Sequence, residues 1–176
     1  MEIRPTRGGF LRPLGCGLFI KSFLLGKGPV DSRKVDPIRG ATQADINYEY
    51  KEALARATAR EHSEKIISRM VLSGADVTEE QAEIIYQREL KRVGRKFTHM
   101  RYHSFLMYFN VLKLLNWVEA TGETEPSAVQ DNYPEAPERV YYRLTRKGIE
   151  APDELWANPL FALYPEIGRR HRKSAL

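Results

Sequence analysis

Apolar positions along the chain fall into three helical stripes followed by two strand-like alternations. Between Thr42 and Gly74, residues Ile46, Tyr50, Leu54, Ala57, Ile67, Met70 and Val71 recur at helical spacing. They predict a helix capped by Thr42 or Asp45 and closed by Gly74 at its C′ position, with a bend or break at the polar stretch around Glu61 and His62. The run "VTEEQAEIIYQRELKRVG" is the clearest helix. Thr78 and Gln81 form a capping box, Glu79 and Glu80 suit the positive end of the helix dipole, and Lys91 and Arg92 suit the negative end before Gly94. In "THMRYHSFLMYFNVLKLLN", Phe105, Met107, Tyr108, Phe109, Val111, Leu112, Leu114 and Leu115 cover about two thirds of the helix circumference. That pattern predicts a central, largely buried helix with a narrow strip of Tyr102, His103, Leu106, Asn110 and Lys113 left mostly polar.

"WVEAT" and "RVYYRLT" then alternate with the period of a strand. In the second, Val140, Tyr142 and Leu144 are expected to face the core, with Arg139, Tyr141, Arg143 and Thr145 outward. Asn116, between the third helix and the first strand, suits a left-handed C-cap. "TRKGIEAPDELW" predicts a helix start or short helix, and "NPLFALYPEIG" is an apolar segment punctuated by Pro159 and Pro165. Residues 1–40 are Gly- and Pro-rich without sustained period, which predicts an irregular arm. Its apolar segment at 14–25 would dock on the chain's own domain or on a partner. No internal repeat is present. The expected organisation is an arm at 1–40, a domain at 41–167 and a tail at 168–176.

The strand–loop–strand order after a Leu-rich helix, in "LLNWVEATG" and "YYRLTRKG", resembles the winged helix-turn-helix domains of bacterial and archaeal transcription regulators over residues 76–150. The resemblance implies an α+β, mainly α fold: a winged helix of three or more helices plus a two-stranded β-hairpin wing, here with an irregular basic N-terminal arm and a C-terminal tail. It also implies double-stranded DNA as partner. Three features set this chain apart. Thr78 and Ser104, the starts of the second and third helices, stand much further apart than the corresponding starts in that family. Leu106 stands where base readers offer polar side chains. The loop between the strands carries Glu119, Glu123, Glu125, Asp131, Glu135 and Glu138 with no Lys or Arg, a sign that phosphate repels.

Charge and composition change this picture in part. The chain has 176 residues, 42% hydrophobic and 29% charged, with net charge +5. Residues 1–39 hold eight Lys or Arg against three acids, and "GRRHRKSAL" at 168–176 holds four basic residues and no acid, so residues 40–167 are net negative and the basicity lies in the termini. One local exception is "RELKRVGRKFTHMR". Arg88, Lys91, Arg92, Arg95, Lys96 and Arg101, with Tyr102 and His103 at its edge, make a candidate phosphate-binding patch. Asn110 and Lys113 of the third helix, and Arg143, Arg146 and Lys147 after the second strand, would join it if the fold brings them near.

Chemistry finds little footing. A single cysteine, Cys16, excludes an intramolecular disulfide and the usual thiolate zinc site. His99 and His103 have metal-binding spacing without a third ligand, "GCGLFI" lacks the third Gly of a dinucleotide loop, and "GKGP" lacks the spacing of a phosphate loop. Trp117 and Trp156 suit a core better than a base-stacking platform. No apolar run reaches the roughly 20 residues of a membrane span. A cytoplasmic, non-enzymatic protein without cofactor is expected. Its leading reading is a DNA-binding transcription regulator contacting phosphates through the basic patch and tails. The alternative is a structural subunit using the winged helix as a protein-docking module, with partner contacts at 14–25 and 155–167.

Overall fold

The computed structural model describes residues 15–96, 102–127 and 136–166, without the side chains of 94–96 and 102–104. The fold is α+β and mainly helical, in the order α1 (Cys16–Leu24), β1 (Ala41–Thr42), α2 (Gln43–Leu72), α3 (Glu79–Lys96), α4 (Tyr102–Leu114), β2 (Val118–Glu125), β3 (Arg139–Leu144), α5 (Arg146–Glu150), α6 (Asp153–Ala157) and α7 (Pro159–Leu163). Where the sequence pattern gives an irregular arm, Cys16–Leu24 is helical and supplies Phe19, Ile20, Phe23 and Leu24 to the main core. The apolar segment therefore packs on its own domain.

Thr42 caps α2, its hydroxyl accepting from the Asp45 amide at 3.2 Å. The expected break near Glu61 does not occur. No Gly or Pro interrupts Gln43–Leu72, and the polar stretch carries Lys65–Glu61 and Arg56–Glu52 ion pairs one turn apart, which support the helix through it. Gly74, at φ +89°, follows the C-cap Ser73. The capping box of α3 forms in both directions: Gln81 N–H donates to Thr78 Oγ1 at 3.3 Å and Thr78 N–H to Gln81 Oε1 at 3.1 Å. This helix runs through Gly94 to Lys96.

In α4, Phe105, Phe109 and Leu112 are fully buried, but Met107 and Leu114 are 59% and 72% exposed. The buried face is narrower than the apolar stripe. Asn116 takes φ +55°, and the amide of Trp117 reaches back to the Leu112 carbonyl at 3.0 Å, turning the chain into β2.

The sheet has three antiparallel strands rather than the expected two, in the order β1–β3–β2. The short strand β1 adds Ala41 and Thr42 beside Tyr142 and Tyr141. Gly40, entering it, sits at φ +76° with its Cα against the Tyr142 carbonyl, where a Cβ would collide. Register between β2 and β3 runs Val118↔Leu144, Glu119↔Arg143 and Ala120↔Tyr142, then shifts across an irregularity to Thr124↔Val140.

The main core joins α1, the first part of α2 (Ile46, Tyr50, Ala53, Leu54), α4, the strands and Trp156. The Trp156 indole lies 4.8 Å from that of Trp117 and donates its N–H to the Gly148 carbonyl at 2.9 Å. Residues 155–163 are thereby drawn into the domain, with Leu155, Ala162 and Leu163 packed against the core. Helices α1, α2, α4 and the short α5, rather than α3, supply the main helical contacts to the sheet. Instead, α3 packs on α2 through a separate small cluster of Ala55, Ala59 and Val93, flanked by Tyr86 and Leu90. The long spacing between Thr78 and Ser104 is taken up by the α3 arm of this α2–α3 hairpin.

Candidate nucleic-acid interface

The basic end of α3 is built on a buried acid. Glu89 is 5% exposed, and its carboxylate accepts from Arg92 Nη1 at 3.0 Å and lies 3.4 Å from Arg88 Nε. A buried carboxylate must be paired or else be neutralised. Arg88 and Arg92 are thus tethered to the helix surface while their side chains remain half or more in solvent. Lys91 is exposed between them, with no ion pair among the described residues. The side chains of Arg95, Lys96, Tyr102 and His103, and all of His99 and Arg101, lie outside the described residues.

A second group surrounds the sheet. On α4, Asn110 and Lys113 are exposed, and the Lys113 ammonium lies 5.7 Å from the centre of the Tyr142 ring. That ring in turn meets the buried Phe109 edge-on at 5.1 Å, which ties α4 to β3. On β3, Arg143 Nε donates to Glu119 Oε1 across the strand pair at 2.8 Å. Thr145 caps α5 by accepting from the Gly148 amide at 3.0 Å, and is buried rather than outward. Arg146 pairs with Glu150 one turn on, while Lys147 is exposed without an ion pair among the described residues.

The outer sheet face carries an arrangement that local pattern could not reveal. Tyr141, expected to face solvent, is 3% exposed because Arg39 lies over its ring, 4.6 Å from the centroid. The same guanidinium donates to Glu123 at 2.8 Å. Tyr141 Oη donates to Glu125 at 2.6 Å, and Arg139 lies 3.5 Å from that carboxylate. The hydrogen bond to Glu125 holds the phenol above its ordinary pKa, with burial acting in the same direction. The bond to Glu123 raises Arg39 likewise. Three glutamates of the hairpin, Glu119, Glu123 and Glu125, are therefore matched by Arg143, Arg39 and Arg139. Such partly exposed pairs contribute only about 0–1 kcal/mol each to stability. Their larger consequence is that the charge of each of these three glutamates is offset locally.

The expected site residues consequently occupy two places. Arg88 and Arg92 stand on the α2–α3 hairpin, whereas Asn110, Lys113, Arg143, Arg146 and Lys147 stand on elements packed around the sheet. Sequence reasoning missed Arg39 because its partner Glu123 lies 84 positions away. It missed Arg139 because Glu125 stands on the opposite strand, across the hairpin loop. The only local signal was cross-strand spacing, which could have paired Arg139 and Arg143 with Glu125 and Glu119. Among the described residues, no group of three His, Cys, Asp or Glu could hold a metal ion, and no helix is long and apolar enough to cross a membrane. Comparison with protein-family models, with curated proteins and with solved structures finds no match.

Proposed function

We propose that this chain is a non-enzymatic winged-helix protein that binds double-stranded DNA as a transcription regulator. In this reading the wing is the β2–β3 hairpin, the helices behind it are α1, α2 and α4, and the α2–α3 hairpin is an insertion. One observation carries it. Three of the six acids that make the wing look hostile to phosphate, Glu119, Glu123 and Glu125, are engaged by Arg143, Arg39 and Arg139. Positive charge on the neighbouring surface, from Lys113 of α4 and Lys147 of α5, is then left uncompensated. The basic end of α3 adds Arg88, Lys91 and Arg92, and the basic termini add charge of the same sign. Contacts of this kind supply affinity and position rather than base selection.

The test is fluorescence anisotropy of the full chain on a short random-sequence duplex across a salt series. Lys113→Glu, Lys147→Glu and Lys91→Glu should each weaken binding, and each lost phosphate contact should flatten the log–log salt slope by about 1. Arg88 and Arg92 are unsuitable for this purpose, because truncating either strips a partner from the buried Glu89 carboxylate. Unchanged binding in all three lysine variants would refute the proposal.

A second reading, a protein-docking module in a larger assembly, is favoured by the outward face of α4. There Met107 and Leu114 expose apolar surface where a groove-reading helix presents polar side chains. It predicts that the full chain shows no salt-dependent duplex binding.

A further inference from the structure

The members of the main core on α2 end at Leu54, yet the helix continues to Leu72. Its second half and α3 form a two-helix hairpin with a thin interior of two alanines and a valine. One face of that hairpin is an open groove of ≈330 Å³, lined by Arg60, Ser63 and Ile67 of α2 and by Glu79, Ala82, Glu83 and Tyr86 of α3. Within the groove Ile67, Ala82 and Tyr86 are only half-buried, beside the buried Ser63. Toward the tip, Val71 and Leu72 are exposed as well. Two antiparallel helices seldom bury enough apolar surface alone, and this pair leaves some of what it has in solvent.

The charges around the groove indicate what covers it. Because α3 runs back from the tip, Arg60 lies at the end nearest the main core, and Glu79 and Glu83 lie toward the far end. None of the three has an ion-pair partner among the described residues; Glu83 accepts only from Gln87. A two-fold axis through the middle of the groove would bring Arg60 of one copy over Glu79 and Glu83 of the other, with Ile67, Ala82 and Tyr86 of the two copies facing. Such a surface is complementary to itself, the requirement of an isologous dimer. We propose that the α2–α3 groove is the contact between two copies of this chain, packed hairpin against hairpin as four antiparallel helices.

The footprint is about 20 Å long, from roughly 13 residues per helix, and two helices wide. That is the small end of specific interfaces, where association is expected to be weak and concentration-dependent. The contact leaves the basic residues of α3 accessible. By the periodicity of the helix, Arg92 is on the side opposite Glu83, and Arg88 also points well away from it. Dimerisation is therefore independent of the nucleic-acid reading and compatible with it.

Sedimentation of the full chain over a concentration series to the sub-millimolar range tests the proposal. The wild type should form a concentration-dependent dimer. Arg60→Glu and Glu83→Arg should each raise the dissociation constant about 10-fold or more by placing like charges together across the two-fold axis. The double variant Arg60→Glu/Glu83→Arg restores the pairing with signs exchanged and should recover most of the lost affinity. Both positions are exposed, so helix content and thermal melting should stay near wild type and will show that each variant folds. A wild type that remains monomeric, as it would if another part of the chain filled the groove, overturns the proposal. So does a dimer indifferent to both single reversals, or a double variant no better than the singles.

Discussion

The two halves of α2 share one uninterrupted helix and have opposite surroundings. In the first half, Ile46, Tyr50 and Leu54 are buried against aromatic rings, with Tyr50 5.3 Å from Phe19. In the second half the residues are largely exposed, and support comes from α3 through Ala55, Ala59 and Val93. The backbone geometry is the same; the density of buried apolar surface is not. Helical continuity therefore says nothing about how firmly a segment is held, since most helical stability in proteins comes from packing of the apolar face. The sheet-bearing core should behave as the stable unit, and the α2–α3 hairpin as the part that opens first.

Trp156→Ala should break this contrast most severely. It removes a fully buried indole, its contact with Trp117 and the hydrogen bond to Gly148, and should cost about 3–5 kcal/mol in chemical denaturation. Both regions should then lose structure together, because the hairpin is rooted in the core through α2. Gly40→Ala should follow, at about 2 kcal/mol or more, from the positive φ and the collision with the Tyr142 carbonyl. Its signature is a lowered melting temperature with loss of amide protection at β1 and β3.

Thr78→Ala sharpens the comparison from the other side. It removes one half of the capping box, worth about 1 kcal/mol, and the cost should be confined to the hairpin. By hydrogen exchange, α3 amides should become less protected while those of α1 and α4 stay unchanged. The smallest effect should appear at high pH. The folded state holds the Tyr141 phenol above its unfolded pKa, so it binds that proton more tightly than the unfolded chain does. This contribution is complete below about pH 10, the ordinary tyrosine value, and is lost as pH rises through the folded pKa. Denaturation midpoints of Tyr141→Phe should therefore fall less steeply than wild type above about pH 10.

Much of the local structure was legible. Thr42 as N-cap, the Thr78–Gln81 capping box, Gly74 after α2 and the left-handed Asn116 all depend on residues close to one another in the chain. The α1 helix was not legible, because its residues are apolar around much of the circumference and lie among glycines and prolines, which masks the helical period. The exposure of Met107 and Leu114 was hidden for a related reason. Periodicity shows which side chains are apolar and is silent on how many of them find a neighbour. For the candidate site, the basic residues were visible as a composition, but their distribution over two surfaces was not.

Local sequence determined several helix caps, the position of the two longer strands, the single cysteine and the basic termini, since each follows from backbone preference or composition within a few residues. Tertiary structure alone decided that α1 rather than α3 completes the core, that a third strand joins the sheet, and that the hairpin glutamates are matched by arginines. Those outcomes depend on contacts between residues as far apart as Arg39 and Glu123, 84 positions away. No local preference encodes such a pair. It forms because folding of the core brings β1 and the hairpin into one sheet, where opposite charges a few ångströms apart attract.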